Sequence, residues 1–127
     1  MTYARIDCGK KGEALAKRFL KKHGYKILVQ NYCTKSGEID IIADDKKCTS
    51  FIEVRSVATG NTGPPEYTIN RKKQAQITKA ALLYIKRYGL EDRDCRFDVV
   101  CIKNVNGSFP EINLIKNAFE MDSRYLY

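Results

Sequence analysis

Asp40 and Glu53 are the residues of this sequence best placed to do chemistry. They sit on two strand-like runs, Gly37-Glu38-Ile39-Asp40 and Phe51-Ile52-Glu53-Val54-Arg55, that a tight turn would fold face to face. Side chains two apart on a strand share a face. Glu38, Asp40 and Ile42 therefore group on one strand and Phe51, Glu53 and Arg55 on the other, with Ile39, Ile41, Ile52 and Val54 turned the opposite way. A turn centred between Lys46 and Lys47 sets Ile42 against Phe51, Asp40 against Glu53, and Glu38 against Arg55. One register thus makes an apolar pair, an acidic pair and an ion pair, and a slip by one residue would press charge onto the core.

Carboxylates directly opposite one another repel. A hard divalent cation between them removes that cost. Mg²⁺ (or Mn²⁺) takes oxygen ligands, typically one or two carboxylates completed by water and phosphate oxygens, and the backbone carbonyl of Val54 is a further donor. Such a metal lowers the pKa of a bound water and neutralises charge on phosphoryl oxygens, so the expected chemistry is phosphodiester hydrolysis. Arg55 has two readings: a cation that stabilises the reacting anion, or the partner of Glu38 in a salt bridge contributing about 0–1 kcal/mol if exposed.

The elements that must position these groups follow from periodicity and punctuation. Asp7 to His23 has helical spacing, with Leu15, Ala16, Phe19 and Leu20 on one side, Asp7 as N-cap and Gly24 as the stop. Tyr25–Tyr32, Glu38–Asp44 and Cys48–Ser56 read as strands joined by short connections, hence an antiparallel meander. Val57 to Ile69, with Gly60, Gly63, Pro64 and Pro65, reads as a loop. Asn70 caps a second helix reaching Tyr88, whose buried stripe is Ile77, Ala81, Tyr84, Ile85 and Tyr88, and Gly89 closes it. Arg96–Lys103 is a strand, Asn106-Gly107 a turn, and Glu111–Ala118 a last strand. A crossover helix makes the fourth strand parallel to the third. The expected fold is α/β: one domain over residues 1–127, with a mixed sheet flanked by helices.

The chain has 127 residues, 23 Lys and Arg against 15 Asp and Glu, and a formal charge of +8. That excess points to a polyanionic partner, nucleic acid first. No apolar run is long enough to span a bilayer, and Met1 to Asp7 lacks a signal-peptide core, so a cytoplasmic protein without a membrane partner is expected. The five cysteines (8, 33, 48, 95 and 101) are scattered and without a C-x-x-C pair. That argues against a disulfide framework and a zinc site, and leaves reduced thiols, several of them buried on strands. His23 is the only histidine and reads as a surface residue. No Ser-His-Asp set, P-loop or dinucleotide fingerprint is present.

Arg71, Lys72, Lys73 and Lys79 open the second helix, where the helix dipole disfavours cations. A solvated helix end is the bland account; phosphate binding is the functional one, with Gln74 and Gln76 adding hydrogen bonds. Lys10 and Lys11, at the start of the first helix, pose the same choice.

Gly12-Glu13, Asn31-Tyr32, Gly37-Glu38-Ile39-Asp40-Ile41-Ile42-Ala43, Phe51-Ile52-Glu53-Val54, the basic second-helix start and Arg96-Phe97-Asp98-Val99-Val100 follow one another in order over nearly the whole chain. In this the chain resembles the YraN-like family of small bacterial proteins, placed near the archaeal Holliday-junction resolvases in the PD-(D/E)xK, or restriction-endonuclease-like, nuclease superfamily. The resemblance implies a metal-dependent endonuclease acting on DNA, branched or single-stranded, with Asp40 and Glu53 as metal-binding acids and Glu13 as the acid that resolvase-type relatives bring from their first helix. Glu13 has a second reading, an exposed partner for Lys17 one turn on. The resemblance also admits a homodimer paired through an exposed sheet edge. Arg55 stands where such enzymes carry a catalytic lysine, and Val57 where another basic residue commonly follows. Arginine stays charged and cannot accept a proton, so the alternative is a non-catalytic nucleic-acid-binding module with a vestigial nuclease site. Asp98 reads as structural.

Overall fold

A computed structural model describes residues 3–57 and 69–121. In chain order these form α1 (Tyr3–Lys22), β1 (Lys26–Cys33), β2 (Glu38–Asp45), β3 (Cys48–Val57), α2 (Arg71–Tyr88), β4 (Asp94–Lys103) and β5 (Glu111–Phe119). The strands make one sheet in the order β1-β2-β3-β4-β5. β3 and β4 run parallel, while the other neighbouring pairs are antiparallel. The glycine- and proline-bearing loop expected from Val57 to Ile69 lies outside the described residues except for its ends: Val57 closes β3 and Ile69 is buried.

Each face of the sheet packs on one helix, which is why β4 reads as a continuous apolar run. On one side Ile77, Ala80, Ala81, Tyr84 and Ile85 of α2 meet Ile42, Phe51, Phe97, Val99 and Cys101. On the other, Ala16 and Leu20 of α1 meet Ile41, Ala43, Ile52, Val100 and Ile102. Asn70 caps α2 by accepting the Lys73 N–H at 2.8 Å, and the helix stops at Gly89. Tyr88, assigned to the buried stripe, is instead exposed: the stripe runs past the edge of the core by the last turn.

α1 begins at Tyr3, so Asp7 is interior to the helix and not its cap, and Lys10 and Lys11 are mid-helix. No proline or other strong breaker separates Tyr3 from Asp7, and a helix held by packing propagates upstream until one does. Gly12 is buried in this helix because a β-carbon there would meet Ser56 Oγ of β3 at 2.7 Å. The four cysteines on strands form no disulfide; of these Cys101 is buried, while Cys33 and Cys95 are exposed. The exposed ones lie at strand ends, Cys33 closing β1 and Cys95 near the start of β4, so burial of several thiols does not follow from strand membership alone.

A polar cluster sits on the α1 face. Asp98 is fully buried. Its carboxylate accepts from Ser50 Oγ, Tyr25 Oη, Arg96 Nε and the Asn117 backbone N–H. Arg96 also donates to Asp45 at 2.8 Å. The Asn117 contact falls where β4 and β5 shift register, with Asn117 in the left-handed region. Asp98 is thus a structural residue that fills an irregularity in the sheet. Sequence reading gave it that role but not its partners.

Candidate functional site

The β2–β3 hairpin has the expected register in its lower half. Lys46 and Lys47 form the turn, Asp45 pairs with Cys48, and Ile42 lies across from Phe51. The ladder ends at Ile41 with Ile52. Asp40 and Glu53, and Glu38 and Arg55, are therefore not ladder partners. Asp40 Oδ2 accepts the Val54 N–H at 2.8 Å, taking the place of a main-chain bond where the strands part. Alternation fails at this point as well. Ile39 is buried with Ile42 on the α2 face and not with Ile41 on the α1 face. The face changes at Asp40, the residue whose side chain hydrogen-bonds within the sheet, and the strict face assignment of Ile39 is corrected.

Glu53 lies against α2, its side chain 11% exposed. Its Oε2 is buried and has no hydrogen-bond partner. Lys73 Nζ stands 3.8 Å from it, beyond hydrogen-bond reach. The Glu53 carboxyl is pushed up to about 8, first by burial and then by the charge of Asp40, which is also its hydrogen-bond partner; Lys73 and, less, Arg55 pull it down. An acid so placed is costly to ionise unless a cation arrives.

The donors fit a hard divalent ion. Both side chains offer oxygen, and one oxygen is orphaned. Among the described residues no group of three or more His, Cys, Asp or Glu side chains surrounds a common point. The protein would thus supply two carboxylates, leaving the rest of the shell to a backbone carbonyl such as that of Val54, to water and to substrate oxygens, a division Mg²⁺ favours.

Glu13 lies beside this pair. Its carboxyl is raised by burial and then by Asp40, against a hydrogen bond with Asn31, with Glu38 adding a smaller push upward. The close approach of α1 at Gly12 brings it there. Asn31 counted in the sequence only as part of the Asn31-Tyr32 segment, with no role of its own. Its sign was the residue type itself, because asparagine tolerates the left-handed backbone it adopts within β1.

The basic residues differ in their surroundings. Lys10, Arg71, Lys72 and Lys79 are exposed. Lys11 donates to Asn106 Oδ1 in the β4–β5 connection at 3.2 Å. The Gln74 side chain donates back to the Ile69 carbonyl at 2.7 Å, which fixes the first turn of α2. Lys73 alone among the described residues is ion-paired with Glu53. His23 is exposed and stacks on Phe19.

Gly37, at the mouth of β2, has a steric role. A β-carbon there would lie 2.6 Å from the Gln76 carbonyl oxygen of α2. Gly37→Ala must push helix from strand, and overpacking of this kind costs about 1–3 kcal/mol. Denaturant unfolding should show a lowered midpoint with an unchanged slope.

A five-stranded mixed sheet with a helix on each face, an antiparallel meander leading into a parallel crossover, and acids at the parting of β2 and β3 define a restriction-endonuclease-like fold. The chain belongs to the YraN-like group, described as Uncharacterised protein family UPF0102, whose pattern matches residues 12–102. A UPF0102 protein of Desulfosudis oleivorans is 45% identical over 120 residues, covering 94% of this chain and 95% of its own. One of Geobacter metallireducens is 44% identical over 121 residues, covering 95% and 98%. Among the described residues no helix is long and apolar enough to cross a membrane.

Proposed function

We propose that the chain is a divalent-metal-dependent endonuclease acting on DNA, branched or single-stranded. The observation that carries this reading is the orphaned, buried Oε2 of Glu53 beside the Asp40 carboxylate. When bound, Mg²⁺ or Mn²⁺ supplies a nucleophilic water near neutral pH and charge neutralisation at the phosphate. Asp40 and Glu53 would hold the ion, with the Asp40 carboxylate oriented by the Val54 N–H. Glu13, beside Asp40, adds negative charge that favours cation entry. In hydrolysis a water oxygen bonds to phosphorus as the P–O bond to the leaving sugar oxygen breaks; the attacking water gives up one proton to bulk water, and the leaving oxygen takes one up from it. The exposed Arg71 and Lys72 attract the backbone. A cytoplasmic location and pairing of two copies through a sheet edge belong to the same proposal.

Arg55 favours one rival, a nucleic-acid-binding module that does not cut, because arginine cannot accept a proton. The test is cleavage of labelled junctions, flaps, duplexes and single strands in Mg²⁺ or Mn²⁺. The expected result is cutting of at least one substrate, falling at least about a hundredfold in Asp40→Ala and Glu53→Ala, the scale of losing one transition-state contact. No cutting across the panel, with binding that weakens steeply as salt rises, would establish the rival.

A further inference from the structure

We infer that Lys73 is the catalytic cation of this site, its ammonium contacting a non-bridging oxygen of the phosphate under attack; this deepens, and rests on, the nuclease reading above. Four observations carry it.

The first is position. Lys73 Nζ is 3.8 Å from Glu53 Oε2, close enough to be drawn to the acid but too far to hydrogen-bond it. Among the described residues the contact leaves Oε2 open to a metal and the ammonium's three donors open to a phosphate. The second is exposure. The Lys73 side chain is 41% exposed while that of Glu53 is 11% exposed. The acid faces inward and the amine stands on the solvent side, where a polyanion must arrive.

The third is anchoring. The Lys73 N–H is bound by the Asn70 side chain at 2.8 Å, the Gln74 N–H by the Asn70 carbonyl at 3.0 Å, and the Gln74 side chain by the Ile69 carbonyl at 2.7 Å. The turn that carries the amine is fixed at both its edges. The fourth is its cost. The first turn of α2 contains no acidic residue and several cations, although the helix dipole disfavours positive charge there. A phosphate at the same place reverses the sign of that interaction.

Arg55 does not take this place. It lies on the same strand as Glu53, yet Lys73 exerts the larger pull on the Glu53 carboxyl. A point-charge ammonium on a flexible stem also follows a phosphate through its change of shape more readily than a planar guanidinium. The cation a nuclease of this fold needs thus comes from the crossover helix, and its appearance in the sequence is one lysine among several basic neighbours.

The experiment compares wild type, Lys73→Met, Lys73→Arg and Arg55→Met on whichever labelled DNA the wild type cuts, and titrates Mn²⁺ into each without DNA. In Lys73→Met, kcat should fall about a hundredfold, as for removal of one transition-state donor, with KM little changed, and Lys73→Arg should recover part of the loss. Arg55→Met should lose less. Mn²⁺ affinity should be undiminished or higher in Lys73→Met, because the amine competes with the metal for Glu53. Wild-type kcat in Lys73→Met overturns the inference and leaves the nuclease reading standing. A kcat loss matched by an equal loss of Mn²⁺ binding also overturns it, since Lys73 would then only hold the acids in place. A wild type that cuts none of the DNAs removes the nuclease reading, and this inference with it.

Discussion

Glu53→Gln will stabilise the protein at pH 8 in a chelating buffer, by about 2–4 kcal/mol. The folded carboxyl titrates near 8, against an ordinary value of 4.5. Below that ordinary value both folded and unfolded chains carry the proton, and the group costs nothing. As pH rises from there, the unfolded chain ionises while the folded one keeps its proton, so stability falls. Above the folded value both are ionised and the loss levels off. A shift of this size corresponds to roughly 5 kcal/mol at its limit, reduced at pH 8 because the group is only half ionised there, and reduced again by relaxation around the charge. Glutamine keeps the shape and can still donate to Asp40, as the protonated acid does. Thermal unfolding of the wild type in chelator should therefore show a midpoint that drops between pH 5 and pH 8, and the variant should lack that component. Equal pH dependence in the two proteins would contradict the burial of this acid.

The second large effect lies on the opposite face of the sheet. Asp98→Ala is expected to cost about 3–5 kcal/mol, the range for breaking a buried ion pair from one side. Removal of this carboxylate strands Ser50 Oγ, Tyr25 Oη, Arg96 Nε and the Asn117 N–H at once. Arg96 keeps Asp45 as a partner, which holds the loss toward the lower end. Asp98→Asn should cost less, since its carbonyl still accepts from part of the set. Urea unfolding of the three proteins checks the order. Asp98→Ala with wild-type stability would mean the cluster is solvated and not the brace described here.

Much of this fold is written locally. The Lys46-Lys47 turn, the Ile42–Phe51 pairing, the Asn70 cap and the Gly89 stop each follow from residues near one another in sequence, and the parallel β4 follows from the handedness and length of the crossover. The acids were legible for the same reason: the Lys46-Lys47 turn brings Asp40 and Glu53 to neighbouring strands. Alternation could not tell that Asp40 replaces a main-chain bond at Val54, because a single side chain turned into the sheet leaves no periodic trace. Nor could it choose Lys73. That choice depends on how α2 is rotated over the sheet, which is set by Gly37 against Gln76 and by the packing of Ile77 and Tyr84. The partners of Asp98 come from β3, β4, β5 and the segment before β1, and no local pattern joins them.

Titration calorimetry of Mn²⁺ into the DNA-free protein near pH 8 asks whether Asp40 and Glu53 form a divalent-cation site. One site per chain is expected in the wild type, lost in Asp40→Asn and in Glu53→Gln while both variants remain folded. Mn²⁺ binding that is absent from the wild type, or equally strong in both variants, would contradict it.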